Sequence, residues 1–312
     1  MTSLKQKNYY QLIMNKIAIV IPVHNGLTYT KKCLKSLEES YEHVKKENFY
    51  TILVDDGSTD GTSDWVKENY PNVIICEGDG NLWWTGAINV GCKYAIEELN
   101  ADYMVWWNND IVTEPSYFVN LEKLLETDEK DILIGSKVMV KNPPNLVWTM
   151  GCKFDPYTGE RKMYGFFEPD SEEYNRVWEV DWLTGMGTVL SKEIMLNVGW
   201  LNEKDFPHYH GDSDYSYRVK LAGYKLKVYP QIRIWNDVVN TGLIHSGSFK
   251  MLWRSLVDRK SNFNIKKEWL FYRYYAKSWR AYLPVIKFYT KYIGGFFKWK
   301  FLGLFGIKKK AK

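Results

Sequence analysis

At 312 residues, 45% of them hydrophobic and 25% charged, the chain has enough apolar side chains for one large α/β unit or two small domains, which excludes a disordered or low-complexity protein. The four cysteines, Cys33, Cys76, Cys92 and Cys152, are widely spaced with no C-x-x-C pair, so a reduced, cytoplasmic protein is expected rather than a zinc site or a disulfide framework. The net charge of +5 is uneven: residues 250–312 hold 17 Lys/Arg against Asp258 and Glu268, a balance of +15 that leaves −10 for the remainder.

The polar stretch 1–15 reads as a flexible extension in which Met14 is a possible alternative start. It lacks the apolar core of a signal peptide, and no run of about 18 uncharged apolar residues follows anywhere in the chain. Ile17 to Val23 (IAIVIPV) is continuously apolar and β-branched, as expected for a strand covered on both faces, with Pro22 marking its end. Residues 28–43 follow as a helix with Cys33, Leu34 and Leu37 on one face. The cycle then repeats: a strand at 50–54, a short helix at 62–69, a strand at 73–76, a helix at 85–99 and a strand at 103–107. This alternation predicts a doubly wound, mostly parallel sheet. From 131 onward strands and Gly- and aromatic-rich loops take over, with a helix near 212–222 and extended chain at 225–235. The predicted units are the extension 1–15, a body 16–250 and a basic, aromatic, helical tail 251–312.

Ligands bind such sheets beyond the carboxyl ends of the strands, and the polar clusters fall there: His24-Asn25-Gly26, Asp55-Asp56-Gly57-Ser58 and Asn108-Asn109-Asp110. A carboxylate of Asp55 or Asp56 can accept the N3–H of a uracil or thymine ring, although the segment also fits a capped turn. A carboxylate at Asp110 can hold Mg²⁺ or Mn²⁺ against a diphosphate, hard oxygen suiting a hard cation, although the segment also fits an ordinary turn. The segment Gly80 to Gly91 (GNLWWTGAINVG) places Asn81, Trp83, Gly86 and Asn89 about a helix start, where small residues let a donor approach backbone N–H groups. It has no Gly-Lys-Ser/Thr and does not fit the dinucleotide fingerprint. Asp212 and Asp214 would stand in the first turn of the 212–222 helix, where an aspartate also serves as an ordinary helix-start residue. His245 lies in a Gly/Ser loop and is solvated unless a metal lies beside it. Trp106 and Trp107 read as packed against the sheet; Trp83 and Trp84 read likewise or as lining the donor site.

Taken in order, IAIVIPVHNG, VDDGSTDGT, GNLWWTGAINVG, WWNND, WLTGMGTVLSKEIMLNVGWLNE and HGDSDYSYRVKLAGYKL resemble the family 2 glycosyltransferases over roughly residues 16–248. The resemblance implies a GT-A type fold. It also implies a nucleotide-sugar donor: Asp55 and Asp56 at the base, Asn109 at the ribose or diphosphate, Asp110 as the metal ligand of the D-x-D position, and His245 as a further ligand. Pro22, His24, Asn25, Asn81, Trp83, Gly86, Asn89 and Asn108 complete the expected donor site. Asp212 matches the aspartate of the family's Glu-Asp pair, the catalytic base, with Gly211 in place of the glutamate. Asn108 replaces the first acidic residue of D-x-D, a form of the rhamnosyltransferase-like branch, which leans the donor toward dTDP-rhamnose or a relative. One base opposite one metal implies inversion at the anomeric carbon. Trp182, Thr184, Gly185 and Asp214 are expected to meet the acceptor, a glycan or lipid-linked oligosaccharide of surface polysaccharide synthesis.

Residues 269–305 interleave aromatics with Lys/Arg, a pattern suited to the headgroup region of an anionic membrane, with packing on the body as the alternative. A peripheral position on the inner face of the cell membrane is therefore expected, and the acidic body argues against nucleic acid. Two other functions fit less well: a sugar nucleotidyltransferase, which needs a Gly-rich signature with Arg and Lys near the first strand, and a noncatalytic carbohydrate-binding protein.

Overall fold

A computed structural model describes residues 15–127, 131–237 and 248–305. Strand β1 (Ile17–Val23) lies between β2 (Phe49–Asp55) and β4 (Tyr103–Trp106), parallel to both, and β2 pairs in parallel with β3 (Ile74–Glu77). The period-2 geometry of β1 sends Ala18 and Val20 to one face and Ile17, Ile19 and Ile21 to the other, each within its own hydrophobic cluster. Both faces are covered, so the strand contains no inward polar position.

Helix α3 (Trp83–Glu97) covers the first face through Ala87, Ile88, Cys92 and Ala95. Its approach to β1 is close: a Cβ on Gly91 would stand 2.2 Å from a Val20 methyl. Helices α1 (Leu27–Tyr41) and α4 (Tyr117–Leu125) cover the second face with Cys33, Leu34, Leu37, Phe118 and Leu121. Trp106 and Trp107 are fully buried, one in each cluster. Helix α2 (Thr62–Asn69) connects β2 to β3.

Beyond β4 the sheet becomes mixed. Strand β12 (Thr188–Ser191) runs antiparallel against β4 and bridges to β6 (Ile132–Val140), which pairs in parallel with β13 (Lys225–Asn236). The β6–β13 register shifts between Tyr229 and Arg233, where Pro230 has no N–H to give to a ladder. Strand β13 also receives the short β5 (Ile111–Thr113) and β11 (Trp178–Glu179). On the far side of β6 lie β7 (Leu146–Thr149) and β10 (Glu168–Pro169), both in antiparallel pairings, and helix α5 (Lys192–Val198) follows β12.

Helix α6 (Gly211–Leu221) precedes β13 and packs against α8 (Ile265–Tyr275), which lies between α7 (Phe249–Val257) and α9 (Leu283–Leu304) in the chain. Phe271, Tyr272 and Tyr275 of α8 are buried with Tyr217 of α6, Phe206 and Phe154 of the small β8 (Cys152–Phe154) and β9 (Arg161–Met163) hairpin. Arg161 of the hairpin pairs with Glu268 and donates to the Tyr272 hydroxyl, which donates in turn to the Gly159 carbonyl at 2.7 Å. The tail is therefore built into the body along α8. Helix α9 buries Val285, Tyr289 and Phe296 but leaves Phe297, Phe301 and Leu304 exposed. Among the described residues no helix is long and apolar enough to cross a membrane.

Candidate active site

Because β1, β2 and β4 are parallel, their carboxyl ends open on one edge of the sheet. A cleft of about 490 Å³ lies there, lined by Pro22, His24, Asp56, Trp83, Trp84 and Asn108 to Asp110, with His208 and Tyr209 ahead of α6 and Lys260 from the α7–α8 connection.

Asp55 and Asp56 are adjacent in sequence yet serve different roles. Asp55 accepts the Ser58 N–H at 2.8 Å and the Ser63 hydroxyl, so it fastens the turn into α2 and does not line the cleft. Asp56 does line it, and its two oxygens accept the N–H groups of Gly80 (2.8 Å), Leu82 (3.1 Å) and Trp83 (2.8 Å). This corrects the expectation that those amides face a donor: a carboxylate already occupies them. It also holds Trp83 in a left-handed conformation, φ +57°, that a tryptophan rarely adopts.

His24 lies with Nδ1 2.6 Å from the Asp56 carbonyl and Nε2 3.0 Å from the Asn25 amide nitrogen, contacts that fit a ring donating at Nδ1 and accepting at Nε2. Asn25 accepts the Thr59 N–H at 2.8 Å and so ties the β1 loop to the β2 loop. The Asn109 amide donates to the Thr30 hydroxyl at 3.2 Å and stands where a Cβ on Gly26 would be, 2.2 Å away. Glycine at 26 is thus needed for Asn109 to pack over the start of α1.

Asp110 is different. Among the described residues its buried Oδ1 has no hydrogen-bond partner, and burial first, with Asp237 adding to it, pushes its carboxyl up to about 6. Asn108 beside it accepts the Trp84 indole N–H at 2.9 Å. The Trp84 ring packs on Gly185, where a Cβ would stand 2.2 Å from a ring atom, and the Gly185 N–H donates to Asp212 Oδ2 at 2.9 Å. A continuous chain of contacts therefore links the metal-type loop to Asp212. Tyr209 lines the cleft with Asp110, and burial pushes its hydroxyl up to about 12, with the charges of Asp110 and Asp212 adding to the shift. Asp212 itself accepts the Ser213 N–H at 2.8 Å with Oδ1, and burial raises its carboxyl despite these donors.

Gly211 is explained by the packing. A Cβ there would meet the Thr85 hydroxyl at 2.2 Å and the Phe206 carbonyl at 3.2 Å, because Thr85 is fastened to that stretch of loop by bonds to Phe206 O (2.6 Å) and Pro207 O (3.0 Å). A glutamate does not fit at 211 on this backbone.

Several expected contacts go elsewhere. The Asn89 side chain is engaged with Leu201, N–H and C=O both at 3.0 Å, and with Glu203, so it fixes α3 to that loop rather than meeting a donor. Gly86 packs on the same Glu203. Asp214, expected at the acceptor, is buried with its oxygens accepting from Arg218 (3.1 Å) and the Tyr275 hydroxyl (2.5 Å), so it fastens α6 to α8. Trp182 packs on Phe271 and the Arg161 guanidinium, its indole N–H buried without a partner. The Thr184 carbonyl accepts the Thr188 hydroxyl, and Asn81 is exposed with its N–H on Asp79. His245 lies outside the described residues. In return the cleft contains His208, Tyr209 and Lys260, which carried no motif.

A family model described as glycosyl transferase family 2 matches residues 18–181, just over half of the sequence. The chain belongs to glycosyltransferase family 2. Among curated relatives, GlyA of Streptococcus pneumoniae is 26% identical over 130 residues, 40% of this chain and 17% of its own. An uncharacterized glycosyltransferase of Rickettsia conorii is 30% identical over 139 residues, 43% of this chain and 21% of its own. This family member thus matches only about a fifth of the length of those relatives. Among solved structures, Staphylococcus aureus TarS in complex with UDP aligns with TM-score 0.53 at 16% identity, over 72% of this chain and 60% of that one. The mannosyltransferase PcManGT of Pyrobaculum calidifontis, in complex with GDP-Man and Mn²⁺, aligns with TM-score 0.55 at 15% identity, over 88% and 69%. The fold of this family 2 chain is therefore of the GT-A type.

Proposed function

We propose that the cleft binds a nucleotide sugar and transfers its sugar to an acceptor hydroxyl with inversion. The observation that carries this reading is the chain of contacts that runs from Asn108, beside Asp110, through Trp84 and Gly185 to Asp212. An acceptor hydroxyl is too weak an acid to ionise at neutral pH, so a placed carboxylate takes its proton as the new C–O bond forms. Asp212 suits that role, because burial raises its proton affinity and Oδ2, with one bond from Gly185, keeps a lone pair for the incoming proton. No second carboxylate is needed as a covalent nucleophile, which is the basis for inversion.

A divalent cation fits beside Asp110, whose buried Oδ1 has no donor. Mg²⁺ and Mn²⁺ are commonly held by one or two carboxylates plus the phosphates of the substrate, which suits a site where, among the described residues, no three acidic, His or Cys side chains converge. When bound, such an ion would offset the negative charge on the departing nucleoside diphosphate. Asp56 keeps the 80–83 loop in place beneath the base, and Asn109 faces the ribose or diphosphate. Asn108 is held by Trp84, and the N-x-D arrangement leans the donor toward a dTDP-deoxysugar. Gly185, bonded to Asp212, borders the acceptor side.

The acceptor in this reading is a glycan or lipid-linked oligosaccharide at an anionic membrane surface. Phe249, Trp253, Trp279, Phe297, Phe301 and Leu304 are exposed along the C-terminal helices amid lysines, a composition that favours the headgroup region. The test is a thermal-shift screen of UDP-, dTDP- and GDP-sugars with Mg²⁺, Mn²⁺ or EDTA. One nucleotide sugar is expected to raise the melting temperature only with metal, and its slow hydrolysis is expected to stop in EDTA. A protein stabilised by free glycans and by no nucleotide sugar would refute the reading.

A further inference from the structure

The donor cleft is acidic by sequence and partly by geometry. Asp56 and Asp110 both line it. A diphosphate entering such a pocket needs cations on the protein as well as in solution. They come from a part of the chain far from every motif. Residues 258–264 connect α7 to α8, and Lys260 on that connection lines the cleft together with Asn109, Asp110 and His208. The Lys260 ammonium lies 5.9 Å from the centroid of the Trp83 ring and the Arg259 guanidinium 5.8 Å from it, so two cations flank one indole.

A third cation lies behind them. Lys267, in the first turn of α8, is 7% exposed, and its buried Nζ has no hydrogen-bond partner among the described residues. Its charge reaches His208: burial first, then Lys267, then Lys260 hold that imidazole down to about 4, so His208 is neutral at physiological pH. The His208 Nδ1 is likewise buried without a partner. A buried, unpaired ammonium is costly, and an anion on the cleft side of His208 would offset that cost.

We infer that the α7–α8 connection supplies the phosphate-binding face of this cleft, with Lys260 contacting the donor diphosphate and Arg259 and Lys267 reinforcing the positive field around Trp83 and His208. The inference rests on the nucleotide-sugar reading and adds to it a group from the C-terminal helices. It also gives the basic tail a role at the cleft that does not involve a membrane.

The experiment uses the full-length protein and calorimetric titration with UDP, dTDP and GDP, and with the parent nucleosides uridine, thymidine and guanosine, in Mg²⁺ and in EDTA. Lys260 is exposed, so Lys260→Met is expected to fold. The expected result is a nucleoside diphosphate affinity about tenfold or more below wild type, as for a lost charge-assisted contact, with nucleoside affinity unchanged and Lys260→Arg close to wild type. The loss should be larger in EDTA, where no divalent ion shares the phosphates. Equal affinity of Lys260→Met and wild type for the diphosphate would overturn the inference while leaving the donor reading intact. So would an equal loss for nucleoside and diphosphate, which marks a change in cleft shape. A wild type that binds none of the three diphosphates would overturn the inference and the donor reading together.

Discussion

Asp110→Asn is expected to stabilise the metal-free protein at neutral pH while removing its response to divalent ions. A carboxyl that ordinarily titrates at 3.8 and is held at about 6 in the fold costs the ionised protein about 3 kcal/mol. The sign follows from the direction: below pH 3.8 the group is protonated folded and unfolded, and no penalty exists. The penalty grows as pH rises from about 4 to about 6 and is full above that, when the fold must keep a buried carboxylate with no donor on Oδ1. Asparagine is neutral throughout. In EDTA at pH 7.5 the variant should therefore melt on the order of 5 °C above wild type, allowing for the partial exposure of the site, and the gap should close as pH falls from 6 to 4. Added Mg²⁺ with a nucleoside diphosphate should raise the wild-type melting temperature and leave the variant's gain small. Differential scanning fluorimetry across pH, with and without metal, reads both effects. A variant less stable than wild type at pH 7.5 in EDTA, or a gap independent of pH, would refute the view of Asp110 as a strained, metal-ready carboxylate.

Two further outcomes follow from the packing. Gly185→Ala places a methyl 2.2 Å from the Trp84 ring, so the ring must move and loosen Asn108; a stability loss of about 1–3 kcal/mol and weaker nucleotide binding are expected in denaturant titration and calorimetry. Phe297→Ser, Phe301→Ser and Leu304→Ser together alter only exposed positions of α9, so flotation with anionic vesicles should show reduced binding with an unchanged melting temperature; undiminished binding would remove the membrane reading. Deleting the whole of α9 is a poorer probe, because Val285 and Tyr289 are buried in one cluster with Phe154, Phe206 and Tyr217 of the body.

The strand–helix alternation was legible because it rests on local pattern. The run 17–23 is apolar at every position since both faces of β1 are covered, and the helices 27–41, 62–69, 83–97 and 211–221 fall within a few residues of the predicted spans. The strand-end clusters fall at the edge of the sheet where the cleft opens, for the same reason. Which side chains stay free for a ligand was not legible, because tertiary partners decide it. Asp55 and Asp56 look equivalent in sequence, yet the first caps a turn and the second collects the 80–83 amides. Asn89 and Asp214 carry suitable chemistry, but Leu201 and Tyr275, both distant in sequence, engage them. Lys260 and His208 belong to no motif; they reach the cleft because α8 docks on α6 through Phe271, Tyr275 and Tyr217, a contact between two aromatic-rich segments with no periodic signal to pair them.

The decisive measurement is turnover by Asp212→Asn, made once its melting temperature and its nucleoside diphosphate affinity have been shown to match wild type. With the proton acceptor removed and the donor pocket intact, sugar transfer should fall by about 10²- to 10⁴-fold while donor binding persists. Transfer at close to the wild-type rate by that folded, donor-binding variant would contradict the claim that Asp212 faces the acceptor across the same cleft as Asp110.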